Sequence, residues 1–288
     1  MSLLLLGLLG AAILGTVVFD VFGKDDSNDT DTDPTPVEEP GEALHFDGSG
    51  TLEGTEGDDT LAAGQDPDLA PETINLFGGD DTATIDVPFD ITVNGGAGDD
   101  TLTSTNVGNT LNGGDGDDRL SGIDATSMYG GAGNDHITFD SDVELNDSVA
   151  RIDGGAGDDR IEVFADAGVN TADRGGAFIT GGSGSDEFNV VLDLQNSQDD
   201  AQILDTQIAR IGDFDPNEDS LRIEIERNDA TADRGVVVEL EQTEVDGTYT
   251  SQITLTFAET AAATEAVATL TVLSDGPFGL ADIQLVGV

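Results

Sequence analysis

The chain has 288 residues, with 60 Asp and Glu against 9 Lys and Arg and a formal charge of −51. That balance excludes a phosphate-backbone partner, because any approach to nucleic acid is repulsive. The absence of cysteine removes disulfide frameworks and thiolate metal sites. Thirty-eight glycines beside 12 phenylalanines, 2 tyrosines and no tryptophan leave few large side chains for an ordinary helical or sandwich core.

Residues 3–22 read LLLLGLLGAAILGTVVFDVF, an apolar run long enough to cross a bilayer and interrupted by one charge, Asp20. No basic residue precedes the run and no small-residue cleavage site follows it. Residues 1–23 are therefore expected to form an apolar helix, a membrane anchor or signal-like segment, with membrane attachment through residues 3–22. Residues 24–44 are acidic, polar and punctuated by proline, as in a self-repelling disordered linker. Asp29, Asp31 and Asp33 alternate as in an EF-hand loop, but Pro34 stands where that loop needs glycine, and the closing glutamate is missing.

The middle of the chain repeats. GTEGDDTL begins at Gly54, GGAGDDTL at Gly95, GGDGDDRL at Gly113, GGAGNDHI at Gly130, GGAGDDRI at Gly154 and GGSGSDEF at Gly181, with a degenerate copy, FGGDDTA, at Phe77. The frame is G-G-x-G-x-D-x-U, with U apolar. Its sixth-position acids are Asp59, Asp81, Asp100, Asp118, Asp135, Asp159 and Asp186, at intervals of 22, 19, 18, 17, 24 and 27 residues. The central intervals are near twice nine, and Leu102, Leu111 and Leu120 recur at nine-residue steps through the half-way residue Asn109. A repeat of this kind marks a solenoid.

Each element of the frame has a chemical reason. Glycines at positions one, two and four (Gly95, Gly96 and Gly98; Gly113, Gly114 and Gly116; Gly130, Gly131 and Gly133; Gly154, Gly155 and Gly157) let a turn adopt positive φ and aim its carbonyls inward. The sixth-position aspartate adds a hard carboxylate oxygen. The x-U-x that follows suits a short strand with U inside. Two nonapeptides per coil would stack turns eighteen residues apart on one side, about 4.8 Å from one another. An all-oxygen cage between turns selects Ca²⁺ over Mg²⁺, which keeps water, and over zinc, which prefers nitrogen or sulfur.

On these residues, the region from 51 to 190 resembles the RTX, or hemolysin-type, calcium-binding repeat family, with the acidic pairs Asp99/Asp100, Asp117/Asp118 and Asp158/Asp159 on its nonapeptide frame. The resemblance implies a parallel β-roll over residues 45–204 with calcium ions in rows between turns, in a secreted or cell-surface protein exported by type I secretion. The long intervals before Asp159 and Asp186 imply loops bulging from the roll.

Residues 205–288 are expected to form a small antiparallel β cap. Asp213, Asp215 and Asp219 alternate ahead of Leu221, Ile223 and Ile225, and form a weaker candidate for metal ligation or a proline-containing turn. DFDPNEDSL is similar to the segment that follows the repeats in serralysin-type metalloproteases. The terminal LADIQLVGV resembles the apolar endings of RTX export substrates, and reads equally as a last edge strand. No catalytic domain is legible: His45 and His136 fall outside any H-E-x-x-H frame, and no serine has a recognisable partner. The expected class is all-β and non-enzymatic, with Ca²⁺ as its ligand and a structural or interaction role. The alternative is a polysaccharide-acting enzyme or carbohydrate binder with its site in the bulges 140–150 and 163–177.

Overall fold

A computed structural model describes residues 40–87, 90–123, 125–140, 150–166, 177–194, 206–227, 229, 231–232, 234–259 and 265–287. The expected helix at 1–23, most of the linker and the interiors of the two bulges lie outside these residues. Among the described residues, no helix is long and apolar enough to cross a membrane.

Successive strands alternate between two sheets. In neighbour order the first sheet contains Ala43–Leu44, Thr60–Leu61, Thr82–Ile85, Thr101–Ser104, Arg119–Ile123, His136–Asp140, Arg160–Asp166, Glu187–Asp193, Ser220–Glu226 and Ile283–Val286, all paired in parallel. The second contains Thr51–Glu53, Thr73–Gly78, Thr92–Ala97, Thr110–Asp115, Ser127–Ala132, Arg151–Ala156, Ala177–Ser183 and Thr206–Phe214, again parallel. It then takes on Ala266–Ser274, Thr248–Phe257 and Val236–Val245, of which the last two pairings are antiparallel. Each coil is thus strand, turn, strand, turn, and the described residues form an all-β parallel roll with a short antiparallel extension.

The apolar position of the frame explains this architecture. Leu61, Ala83, Leu102, Leu120, Ile137, Ile161, Phe188 and Leu221 are in register and buried. From the other sheet, Leu52, Ile74, Val93, Leu111, Met128, Ile152, Ile179 and Ile211 form a matching column. These columns, with a further buried row on the first sheet that includes Phe139, Val163, Val190 and Ile223, fill the narrow space between the sheets mostly with aliphatic side chains, which is why so few aromatic residues suffice. At ~1.5–3 kcal/mol for each fully buried aliphatic side chain, they are the main apolar support of every coil.

Parallel pairing continues past residue 204. Thr206–Phe214 joins Ala177–Ser183, and Ser220–Glu226 joins Glu187–Asp193, so parallel coils lie on both sides of the boundary expected at 204/205. Among the described residues, antiparallel pairing is limited to strands between Val236 and Ser274. Their hairpin closes at Asp246 and Gly247, both at positive φ (54° and 86°), the backbone of a tight two-residue turn.

Candidate metal centre

All the G-G-x-G-x-D turns stack along one edge of the roll, where the chain leaves the second sheet and enters the first. Parallel strands leave the amides of positions five and six without a strand partner, and a buried unpaired amide is costly. Side-chain oxygens satisfy them in two ladders that run in opposite directions.

The inner ladder is built from the sixth-position aspartates. The amide of Asp59 donates to Oδ1 of Asp81 (2.6 Å), and that of Asp81 to Asp100 (2.8 Å). Asp100 donates to Asp118 (2.7 Å), Asp118 to Asp135 (2.8 Å) and Asp135 to Asp159 (2.7 Å). Asp159 donates to Asp186 and Asp186 to Asp219, each at 2.9 Å. The residue separations range from 17 to 33, so the stacking absorbs both long intervals without losing register. The outer ladder uses position five. Oδ1 of Asp58 accepts from the amide of Asp80, Asp80 from Asp99, Asp99 from Asp117 and Asp117 from Asn134. Asn134 then accepts from Asp158, and Asp158 from Ser185.

Oδ1 of each inner aspartate is thereby occupied, while Oδ2 of Asp81, Asp100, Asp118, Asp135 and Asp159 is buried and has no hydrogen-bond partner. At the ends of the stack the same oxygen is satisfied by its own turn: Oδ2 of Asp59 accepts from the amide of Thr55 (2.6 Å), and that of Asp219 from the amide of Asp215 (2.8 Å). The first-position glycines make room for the orphaned oxygens. A Cβ on Gly95 would lie 2.0 Å from Oδ2 of Asp100 and 2.6 Å from the carbonyl oxygen of Gly113. Gly113, Gly130 and Gly154 stand in the same relation to Asp118, Asp135 and Asp159, and to the carbonyls of Gly130, Gly154 and Gly181. A carboxylate oxygen and a carbonyl oxygen of the next coil therefore border one small space in each turn. Gly114 and Gly116 hold φ at 131° and 143°, a backbone open to glycine alone, and their partners at the second and fourth positions repeat it.

Burial of these acids sets their protonation. Desolvation first, and neighbouring carboxylates after it, push Asp100 up to about 7. The same causes push Asp81, Asp118, Asp135, Asp159 and Asp186 up to about 6, against the stabilising amide each accepts. Asp213 and Asp219 are raised by the same desolvation. Without a cation, the row holds acids that resist ionisation.

The sequence-derived candidates divide accordingly. Asp59, Asp81, Asp100, Asp118, Asp135, Asp159 and Asp186 form the inner ladder, whereas Asp99, Asp117 and Asp158 lie on the exposed outer one. Asp219 extends the inner ladder by one coil. Asp213 instead accepts from the amides of Gly181 (3.0 Å) and Gly182 (2.9 Å), and Asp215 accepts from Asn217. With Glu218 and Asp275 these three border a cavity of about 520 Å³ beyond the last repeat turn. Sequence reasoning missed Asp58 and Asp80 as outer-ladder members, although each directly precedes an inner aspartate. It also missed Glu42, which precedes a strand paired to Thr60–Leu61 and donates its amide to Asp59 Oδ1 (2.5 Å). In the degenerate copy, Phe77 pairs with Gly96 and takes φ of 75°, so a phenylalanine fills the second glycine's place.

Among the described residues, no three His, Cys, Asp or Glu side chains converge on one point. Any cation in these turns must draw on backbone carbonyls as well as carboxylates, which is what the glycine-lined spaces provide. The oxygen-only donor set fits a hard divalent ion.

These features define a class: a parallel β-roll whose coils are joined on one edge by glycine–aspartate turns. The RTX calcium-binding nonapeptide repeat matches the sequence in four copies, at residues 46–69, 94–122, 127–142 and 151–169. Residues 46–169 thus carry RTX, hemolysin-type calcium-binding repeats. No curated protein matches it.

Proposed function

We propose that this chain is a calcium-stabilised structural or interaction module of a secreted or cell-surface protein, and that its roll folds on binding Ca²⁺. The observation that carries the reading is the row of five buried, partnerless carboxylate oxygens at Asp81, Asp100, Asp118, Asp135 and Asp159. A buried anion without a partner is destabilising by several kcal/mol in general, and a divalent cation removes that penalty. The ligands in this reading are those carboxylates with the carbonyls of Gly113, Gly130, Gly154 and Gly181, while Asp186, Asp213, Asp215 and Asp219 form the weaker end of the row. The glycine frame supports calcium over a merely salt-adapted acidic surface, since solvated acids need no fixed glycine offsets.

Extracellular calcium modules bind at ~0.1–1 mM, and a site at ten times its Kd contributes about 1.4 kcal/mol. Several such sites decide whether a polyanion of this charge is compact, which supports a working place outside the cell, export by the type I route and no catalytic role. Circular dichroism and calorimetry of the full chain test the reading: millimolar Ca²⁺, and not Mg²⁺, converts an expanded chain into a β-rich one. A spectrum and melting curve unchanged by calcium and by chelator contradict it.

A further inference from the structure

The residue just before the first position of each acidic turn belongs to a column of its own on the second sheet. Glu53, Asn75, Asn94, Asn112, Tyr129, Asp153 and Thr180 are in register from coil to coil. The centre of that column is an amide ladder: Asn94 Nδ2 donates to Asn75 Oδ1 (2.8 Å), and Asn112 Nδ2 to Asn94 Oδ1 (2.6 Å). Glycine follows two of these asparagines, Gly95 after Asn94 and Gly113 after Asn112, and the sequence contains no other Asn-Gly bond. Gly95 and Gly113 are also the glycines whose added Cβ would meet Oδ2 of Asp100 and Asp118, at 2.0 and 2.1 Å. The cation spaces therefore require glycine at the one position where it leaves the preceding asparagine chemically labile.

The reaction is intrinsic to the Asn-Gly bond. The glycine nitrogen, unhindered by a Cβ, attacks Cγ of the asparagine; the new C–N bond closes a five-membered succinimide, and Nδ2 leaves as ammonia with the proton of that nitrogen. Water then opens the ring. Addition at Cγ gives aspartate, and addition at the main-chain carbonyl carbon gives isoaspartate, whose backbone runs through Cβ and Cγ. In the folded roll the attack is blocked. Parallel-strand ψ of about +115° carries the glycine nitrogen away from the side chain, and Thr92–Ala97 and Thr110–Asp115 are each held between two parallel neighbours.

We propose that Asn94 and Asn112 are modification sites gated by calcium, which deamidate when the roll opens on calcium loss and place an isoaspartate directly ahead of a calcium turn. The aspartate product is silent, because Glu53 and Asp153 already stand in the same column ahead of Gly54 and Gly154. The isoaspartate product lengthens the backbone by one carbon ahead of Gly95 or Gly113 and moves the turn out of its ladder. Each calcium-free interval thus lowers the fraction of chain able to reload. Asp153 reacts more slowly, since a carboxylate is a poorer electrophile than an amide. The inference rests on the calcium reading of the acidic edge.

Ageing the full chain at neutral pH, in saturating calcium and in chelator, tests it, with circular dichroism and peptide mass mapping on each sample. Replacement of ammonia by water at Asn94 and Asn112 should run about tenfold or more faster in chelator, as for a reaction confined to the opened state. Asn75, in the same ladder but followed by Leu76, should stay intact. Equal rates in the two samples, where the spectrum shows that chelator unfolds the chain, overturn the proposal and leave the calcium reading standing. Equal rates with an unaltered spectrum end both. A second arm reads the consequence by returning calcium to the aged chelator samples. The parent should fail to regain its β-rich spectrum in proportion to its isoaspartate content, whereas Asn94→Thr combined with Asn112→Thr, for which Thr180 ahead of Gly181 is the precedent, should regain it. Equal recovery overturns the proposal. Should the double variant fail to fold, refolded and unrefolded parent are separated by size: isoaspartate concentrated in the unrefolded fraction supports the proposal, and an even distribution contradicts it.

Discussion

The parallel coils and the antiparallel strands share one apolar core but treat charge differently. Between Val236 and Ser274 the buried polar side chains among the described residues are Ser251 and Ser274, and the backbone pairs with itself across a tight hairpin. In the coils, every turn on the acidic edge buries a carboxylate to satisfy an amide of its neighbour. Parallel pairing cannot use a two-residue turn, so its wider turns leave amides over, and the side chains that serve them bring charge inside. The difference teaches that dependence on a counter-ion is local: it belongs to the turns of one edge, not to the composition of the whole chain.

The largest effect expected from that contrast is on pH. In the calcium-free protein the carboxyls of Asp81, Asp100, Asp118, Asp135, Asp159 and Asp186 stand at about 6 to 7, above the ordinary unfolded value of ~3.9. The folded state therefore binds more protons, and its stability, fully present below ~pH 4, is lost as pH rises through 6 to 7. Scattering at pH 5 and pH 8 in chelator should show a compact chain that expands at the higher pH, and saturating calcium should abolish the trend. Expansion in acid instead would break the contrast.

Next in size is Gly113→Ala, whose Cβ would meet Asp118 Oδ2 at 2.1 Å and the Gly130 carbonyl at 2.6 Å. Calcium-loaded stability should fall by about 2–4 kcal/mol in denaturant unfolding. The exposed turn glycine Gly247, with open space around its Cβ position but φ of 86°, should cost only about 1 kcal/mol on the same change. Asp118→Asn sharpens the comparison by its sign. It keeps the acceptor for the Asp100 amide and removes a buried charge, so calcium-free stability should rise by about 1 kcal/mol. The gain on adding calcium at ten times Kd should shrink by about 1.4 kcal/mol. The smallest effect is Phe77→Gly. Phe77 is 43% exposed and held at φ of 75°, so its replacement should stabilise the protein by about 0.5–1 kcal/mol in the same unfolding measurement.

The repeat, its apolar column and its acid markers were legible in the sequence because strict stacking forces identical chemistry at identical offsets. Leu102, Leu111 and Leu120 fall in the two core columns that their spacing implies. What escaped was set by pairing between distant segments. The turn ending at Asp219 carries Pro216 in place of a glycine frame and follows Asp186 by 33 residues, so nothing local marks it as another coil. Asn109 shows in the sequence only as the half-way residue of the repeat, and its contacts depend on a serine five residues away and an amide on the preceding coil. The opposed directions of the two ladders depend on which oxygen meets which amide, which spacing does not encode.

Anomalous scattering from crystals grown in calcium tests the central claim most directly. The account predicts calcium peaks within ~2.3–2.6 Å of Oδ2 on Asp81, Asp100, Asp118, Asp135 and Asp159, with glycine carbonyls completing each shell. Ordered water hydrogen-bonded to those five oxygens, with no anomalous signal at millimolar calcium, would contradict it.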